Sequence, residues 1–201
     1  MADDVRRKTA KGAVGTADPQ QWLALGQKQF QFLTSHGLER HHRLLEIGCG
    51  NLRAGWRLIE YLDPGNYTGV DISPEILLAA YETIAERQLQ ERWPRIFVVD
   101  GTNLDFLPDA SHHAAHAHSV FTHTPIDVVK SYIESVRRIL EPGGFFDFTY
   151  HHTDGRMSSK LDEDFYFPTA MLLDIADDRG FDGSQLTDWD YVQEKIRLVK
   201  R

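Results

Sequence analysis

Leu44-Leu45-Glu46-Ile47-Gly48-Cys49-Gly50 is the stretch that decides the fold. Its short apolar run reads as a strand buried on both faces, as in a parallel sheet. Glycine at 48 and 50 lets the backbone turn sharply and approach a ligand closely. Residues 52–62 then carry helical spacing, so the free N–H groups of a helix start lie beside the same turn.

Working outward, strand and helix signals alternate. Residues 67–71 read as a second strand after the Asp63-Pro64-Gly65-Asn66 turn. Ser73 is a good N-cap and Pro74 fits the first helical turn, opening a helix to about residue 92. Strands are expected at 96–100 and 115–121. A helix over 125–140 ends at Glu141-Pro142-Gly143-Gly144, before a fifth strand at 145–150. Residues 168–179 look helical again, and strands near 184–189 and 192–199 close the chain. Only a short turn near Asp190 separates these last two, so they are expected to pair antiparallel. The whole pattern predicts an α/β fold with a mostly parallel sheet covered on both faces.

Ahead of the first strand, residues 1–18 are polar with few apolar anchors and read as a mobile tail. From Pro19, Trp22, Leu25, Gln29, Phe32 and Leu33 fall near one helical face. That pattern stops at His36-Gly37, where glycine suits a left-handed cap. The segment 19–40 either packs on the domain edge or closes over a ligand. Residues 19–201 are expected to form one domain, since 201 residues would be cramped as two.

Bulk properties narrow the function. A hydrophobic fraction of 41% and a charged fraction of 26% are those of an ordinary globular chain. No apolar run approaches the length that crosses a bilayer, so no membrane partner is expected. The start, Met1-Ala2-Asp3-Asp4, lacks a leader pattern, and the single cysteine, Cys49, excludes an internal disulfide. A reducing, cytoplasmic setting is the expectation. A net charge of −8, with no dense basic run beyond Arg6-Arg7-Lys8, argues against a nucleic-acid partner.

Acids at strand ends carry the chemistry. Asp71 closes the second strand at the spacing where a carboxylate accepts both ribose hydroxyls of a nucleoside. Such an aspartate is also often a helix cap, here in competition with Ser73. Asp100 repeats the pattern on the third strand, placed to meet an adenine amino group. Acids on successive strands line the carboxyl edge of the sheet, where ligands of open α/β folds bind. A dinucleotide fingerprint would want a third glycine where this chain has Arg53.

These motifs, in this order, resemble those of class I S-adenosylmethionine-dependent methyltransferases, over roughly residues 41–200. Residues 44–50 resemble the family's first motif and Gly69-Val70-Asp71-Ile72-Ser73 its second. Val98-Val99-Asp100-Gly101 resembles the third, and Arg137-Arg138-Ile139-Leu140-Glu141-Pro142-Gly143-Gly144 the turn into the fifth strand. The resemblance implies a three-layer sandwich whose seven-stranded sheet has the order 3-2-1-4-5-7-6, strand 7 antiparallel, with an N-terminal capping helix. It implies S-adenosylmethionine as cofactor, leaving as S-adenosylhomocysteine. Gly48, Cys49 and Gly50 would pass the methionine portion, Glu46 would place its amino group, and Arg53 is a candidate for its carboxylate. Asp71 would hold the ribose, Ile72 would lie beside the adenine, and Asp100, Gly101 and Thr102 would contact it. His118 and Ser119 would face the methionine portion and the acceptor.

The acceptor is expected to be a small molecule, such as a secondary metabolite, methylated on O or N by a monomer or homodimer. A sulfonium is already a good leaving group, so the protein mainly aligns the reactants and excludes water. A general base is needed only where the acceptor holds a proton. His123, in Phe121-Thr122-His123-Thr124-Pro125, and His118 are the candidates, since imidazole titrates near neutrality. His123 is as readily a structural residue. Trp22, His123, Tyr150, His151 and His152 are candidates for the acceptor wall, together with a long loop over 151–167. His116 and His118 share one strand face, but no histidine spacing matches an established zinc pattern, and no metal is expected. His112 and His113 are expected in a solvated loop. Two other readings stay open: a non-catalytic cofactor-binding member of the family, and a nicotinamide-dependent oxidoreductase.

Overall fold

The computed structural model describes residues 18–161 and 163–201. The tail expected over 1–18 lies outside them except for Asp18, whose carboxylate accepts the Gln20 N–H and caps the first helix. The chain divides between Asp100 and Gly101 into two compact units. Its described residues form five α-helices and nine strands in a mixed, mostly parallel α/β arrangement. Among those residues no helix is long and apolar enough to cross a membrane.

In the first unit, α1 (Pro19–Ser35) precedes β1 (Leu44–Ile47), α2 (Gly55–Tyr61), β2 (Tyr67–Asp71), α3 (Pro74–Glu86) and β3 (Arg95–Val98). The strands pair in parallel in the order β3-β2-β1, with Leu44 beside Tyr67 and Asp71 beside Val98. All four residues of β1 are buried, which explains a run that is apolar except for Glu46. Helix α1 buries Trp22, Gly26, Gln29, Phe32 and Leu33 at helical spacing. It stops at His36, and Gly37 takes the left-handed φ of 96° that ends it. The helix predicted over 74–92 is shorter. It ends at Glu86, because Gln88 turns left-handed at φ 55°, and Gln90–Arg92 form a separate 3-10 turn.

The second unit runs β4 (His112–Ala117), α4 (Ile126–Ile139), β5 (Leu140–His152), β6 (Ser158–Lys160), β7 (Asp164–Phe167), α5 (Thr169–Asp177), β8 (Phe181–Gln185) and β9 (Glu194–Lys200). β4 and β5 are parallel, β9 is antiparallel to β5, and β8 is antiparallel to β9. The two units thus carry runs matching 3-2-1 and 4-5-7-6 of the expected order. Seven strands were too few, since β6 and β7 add a hairpin. β7 lies parallel to the far end of β5, with His151 beside Tyr166. The expected long loop at 151–167 is therefore largely sheet.

Other boundaries move for physical reasons. β4 begins at His112, whose side chain is 1% exposed, so His112 and His113 belong to a strand and not to a solvated loop. β5 swallows the Pro142-Gly143-Gly144 stretch expected as a turn, with a register shift opposite His112 and Ala114. The closing strands are set further apart than the sequence implied, because residues 186–193 form a connection that buries Trp189. Helix α4 buries Val129, Tyr132, Ile133, Val136 and Ile139, and the rings of Phe121, Phe146 and Phe148 meet at tilted or edge-on angles with centroids 4.9–5.9 Å apart. On β5 the fully buried Asp147 accepts two 2.7 Å hydrogen bonds from Arg197 of β9, a bidentate pair that leaves neither charge alone.

One contact fixes α1 in place. A Cβ added at Gly26 would collide with the backbone carbonyl of Arg53, so this helix lies directly on the chain that follows the glycine turn. Gly26→Ala is therefore expected to cost roughly 1–3 kcal/mol, the usual penalty for overpacking. Thermal or urea unfolding measures it, and an unchanged stability would mean that α1 is not seated there.

Candidate functional site

In the first unit the turn after β1 is built from left-handed backbone. Gly48 and Gly50 have φ of 67° and 53°, values that glycine adopts without a Cβ penalty. Leu52 is left-handed too, at φ 63°, although its side chain is fully buried. A side chain there costs about 1–2 kcal/mol in backbone strain, offset by the apolar area it covers.

Asp71 ties this turn to the end of β2. Its Oδ2 accepts the Gly50 N–H at 2.9 Å and its Oδ1 accepts the Ser73 N–H at 3.0 Å. Each carboxylate oxygen keeps a further lone pair for a donor. Burial raises the Asp71 pKa, while the backbone N–H groups of Ser73 and Gly50 pull it back. Ser73 caps α3 through the Ile76 N–H, so the Asp71 carboxylate is not spent as that cap. Ile72 stands beside it, 64% exposed.

Glu46 sits behind the turn, 5% exposed, and accepts a 2.5 Å hydrogen bond from the Tyr67 hydroxyl. Burial pushes its pKa up to about 7, partly opposed by Tyr67 and by the charge of Arg53. It is poised to ionise when a cation arrives. Cys49 is buried, and burial raises its thiol pKa well above the usual range, so it packs as a small apolar group. Trp22 is also buried, at 2% exposure. Its indole N–H donates to Asn51 Oδ1 at 3.1 Å, and the Asn51 carbonyl accepts the Thr83 hydroxyl. Asp100 follows the end of β3 and is exposed.

The second unit places the remaining candidates. Gly101 accepts the Tyr132 hydroxyl at its carbonyl, and the Thr102 carbonyl accepts that of Ser135. Ser119 is left-handed at φ 58°. Its N–H donates to Thr149 Oγ1, and its hydroxyl lies 2.8–3.0 Å from the Gln193 amide. His118, just past β4 and 7% exposed, has its ring centroid 5.7 Å from Trp189 and 5.6 Å from Tyr191. Lys195, fully buried, lies over Trp189 at 4.3 Å, and burial lowers its pKa to about 8.

The histidines divide into two groups. His123 is exposed, and its Nδ1 lies 3.0 Å from both Asp164 Oδ1 and the Glu163 carbonyl. Two acceptors at Nδ1 keep the proton of a neutral ring there and leave the lone pair on Nε2. His151 stacks on Tyr166 at 5.0 Å, and burial lowers its pKa. His152 bridges Asp154 and Thr169, and Thr169 in turn meets the Tyr150 hydroxyl at 2.6 Å. Tyr150 and His152 thus form one hydrogen-bonded chain, while His123 and His151 both neighbour β7. Near the surface, Glu39, His41 and His42 bring one ligand atom each within 4.8 Å of one another. His42 Nδ1 already accepts the Glu39 N–H, which spends the lone pair of a neutral ring.

Sequence reading missed Tyr67, Asn51, Gln193, Trp189, Tyr191 and Lys195. A glutamate in an apolar strand signals that a donor must face it, and Tyr67 on the neighbouring strand supplies one. Trp189, Gln193 and Lys195 lie in stretches read as closing strands, Tyr191 in the turn between them, and Asn51 directly after the glycine turn.

A family model described as a methyltransferase domain matches residues 45–146, half of the chain, and the chain belongs to that family. Solved structures agree in fold. Magnesium protoporphyrin IX methyltransferase from Synechocystis PCC 6803, with bound SAH, superposes with a TM-score of 0.72 at 16% identity, over 100% of this chain and 94% of that one. The 1,6-didemethyltoxoflavin-N1-methyltransferase of Burkholderia thailandensis gives 0.69 at 20% identity, over 98% and 86%. The [4+2]-cyclase SpnF gives 0.69 at 18%, over 86% and 79%, so the same fold also hosts other chemistry.

The buried Glu46 makes a pH prediction for the ligand-free protein. Its pKa is raised from 4.5 to about 7 on folding, so the unfolded chain gives up the proton first. Its contribution to stability is fully present below about 4.5 and is lost as pH rises through about 7. Unfolding curves between pH 4 and 8 should show a decline that Glu46→Gln flattens. Parallel profiles for the two proteins would contradict the burial of an ionisable proton at this site.

Proposed function

We propose that this chain transfers the methyl group of S-adenosylmethionine to an O or N atom of a small molecule, releasing S-adenosylhomocysteine. The observation that carries the reading is Asp71. Its carboxylate is anchored by two backbone N–H groups at the glycine turn, yet keeps acceptor capacity suited to paired ribose hydroxyls. The residues fit the cofactor on two further counts. Glu46, held at a pKa of about 7 by burial, gains a cationic partner when an amino group enters. Gly48, left-handed and exposed, leaves backbone open where a side chain would stand.

When bound, the cofactor supplies an activated methyl on a sulfonium. The chain's own residues then bind and orient. Gly48, Cys49 and Gly50 approach the methionine portion by backbone, Glu46 takes its amino group, and Arg53 is the candidate for its carboxylate. Ile72 offers an exposed apolar face to the adenine, with Asp100, Gly101 and Thr102 as its polar contacts. In the second unit, His118 and Ser119 are the groups proposed near the acceptor, with Tyr150, His151 and His152 in its wall. His123 is the proposed base, because its Nδ1 proton is held by two oxygens and Nε2 is left to accept. Trp22 serves the turn through Asn51, and its burial speaks for that role over direct contact with an acceptor.

The domain proposed spans residues 19–201 and works as a monomer or homodimer. Its single, buried cysteine suits the cytoplasm. Asp71→Asn keeps the size of the side chain but removes the charge and one acceptor. It should weaken S-adenosylhomocysteine binding by about tenfold or more in calorimetry, because hydrogen bonds to charged groups are worth about 1.5–3 kcal/mol. Binding unchanged by this substitution would remove the basis of the proposal.

A further inference from the structure

Helix α2 presents two different faces. Gly55, Leu58 and Ile59 are buried, whereas Trp56, Arg57, Glu60 and Tyr61 turn outward. With Phe30 of α1 and Arg40, the outward residues line a cleft of about 330 Å³. That size sits at the low end of small-molecule sites and admits a body of one or two rings.

The walls are aromatic and the charge is positive. Phe30 meets Tyr61 edge-on at 5.6 Å, and the Arg40 guanidinium lies over the Tyr61 ring at 5.6 Å. Trp56 carries Arg57 at 4.0 Å from its ring centroid and Arg87 at 3.5 Å. Arg57 is fixed in place, since its Nε donates to Gln27 Oε1 at 2.7 Å and its Nη2 to the Leu23 carbonyl at 3.3 Å. Among the described residues none of these three arginines forms a salt bridge with a carboxylate. Glu60 is the one acid in the lining, and it is exposed. Burial and the neighbouring Arg87 lower the Arg57 pKa, with the charge of Glu60 opposing them. In a chain of net charge −8, this group of arginines concentrates positive charge beside an aromatic cleft whose lining holds one acid.

We infer that this cleft is a second small-molecule site, selective for a flat aromatic carboxylate. The guanidinium forks match a carboxylate in shape and charge, and the rings of Phe30, Trp56 and Tyr61 provide an apolar bed for the ring system. It is distinct from the glycine turn, because it lies on the face of α2 opposite Gly55, the residue that packs towards Tyr67 and Glu46.

The test is calorimetric titration of the full chain with 2-naphthoate, compared with the neutral 2-naphthamide and with inorganic phosphate. The titration is repeated in the presence of saturating S-adenosylhomocysteine. The expected result is one-to-one binding of 2-naphthoate, unaffected by S-adenosylhomocysteine, with the amide and phosphate each at least about tenfold weaker. Arg57→Gln and the exposed Arg40→Gln should each weaken binding by about tenfold, with unchanged circular dichroism. If Arg57→Gln does not fold, Arg40→Gln alone decides. No binding, equal binding of the amide or phosphate, insensitivity to Arg40→Gln, or displacement by S-adenosylhomocysteine would each overturn the assignment. Failure of S-adenosylhomocysteine itself to bind would count against the methyltransferase reading, while the arginine variants still test the cleft.

Discussion

The hydrogen bond from the Gly50 N–H to the Asp71 carboxylate is the constraint on which the rest of the first unit depends. It joins residues 21 positions apart and fixes the exit of β1 against the end of β2. Because the Ser73 N–H binds the other oxygen, the carboxylate is oriented at both ends before any ligand arrives. Preorganisation of that kind spares the ordering cost that binding otherwise carries. The price of the arrangement is visible nearby, in a buried leucine held left-handed and a glutamate kept protonated to about pH 7.

Support for the turn comes from behind it. Trp22 reaches Asn51 from α1, Gly26 lets that helix rest on the Arg53 carbonyl, and Thr83 of α3 holds the Asn51 carbonyl. Two helices, α1 and α3, therefore bear on one short loop. The N-terminal helix, for which edge packing and a ligand cap were both open, packs against the turn through Trp22 and Gly26. The same packing leaves the outer face of α2 to carry its arginine and aromatic cleft.

The parts of the chain that were legible in the sequence are those where one physical demand dominates. β1 and β2 fall where short buried runs meet turn residues, and Pro74 with Ser73 marks the start of α3 as the capping rule requires. Legibility fails where burial overrides residue type. His112 looks like a loop residue and is interior, because its strand is covered in the fold. Residues 158–160 and 164–167, read as part of a long loop, pair as two strands, and the second satisfies its backbone against the end of β5. At the site, strand-end acids were readable one by one, while their partners were not. Tyr67 and Asn51 act through geometry that spacing along the chain does not encode.

Asp71 lies within the stretch, residues 45–146, that the methyltransferase-domain model matches, and its carboxylate sits at the end of β2 beside the glycine turn. The most direct test is a crystal structure of the chain with S-adenosylhomocysteine. The account predicts both ribose hydroxyls at about 2.5–3.0 Å from the Asp71 carboxylate oxygens, the range for O–H donors to a carboxylate. A sugar bound elsewhere, with Asp71 still satisfied only by Gly50 and Ser73, would contradict it.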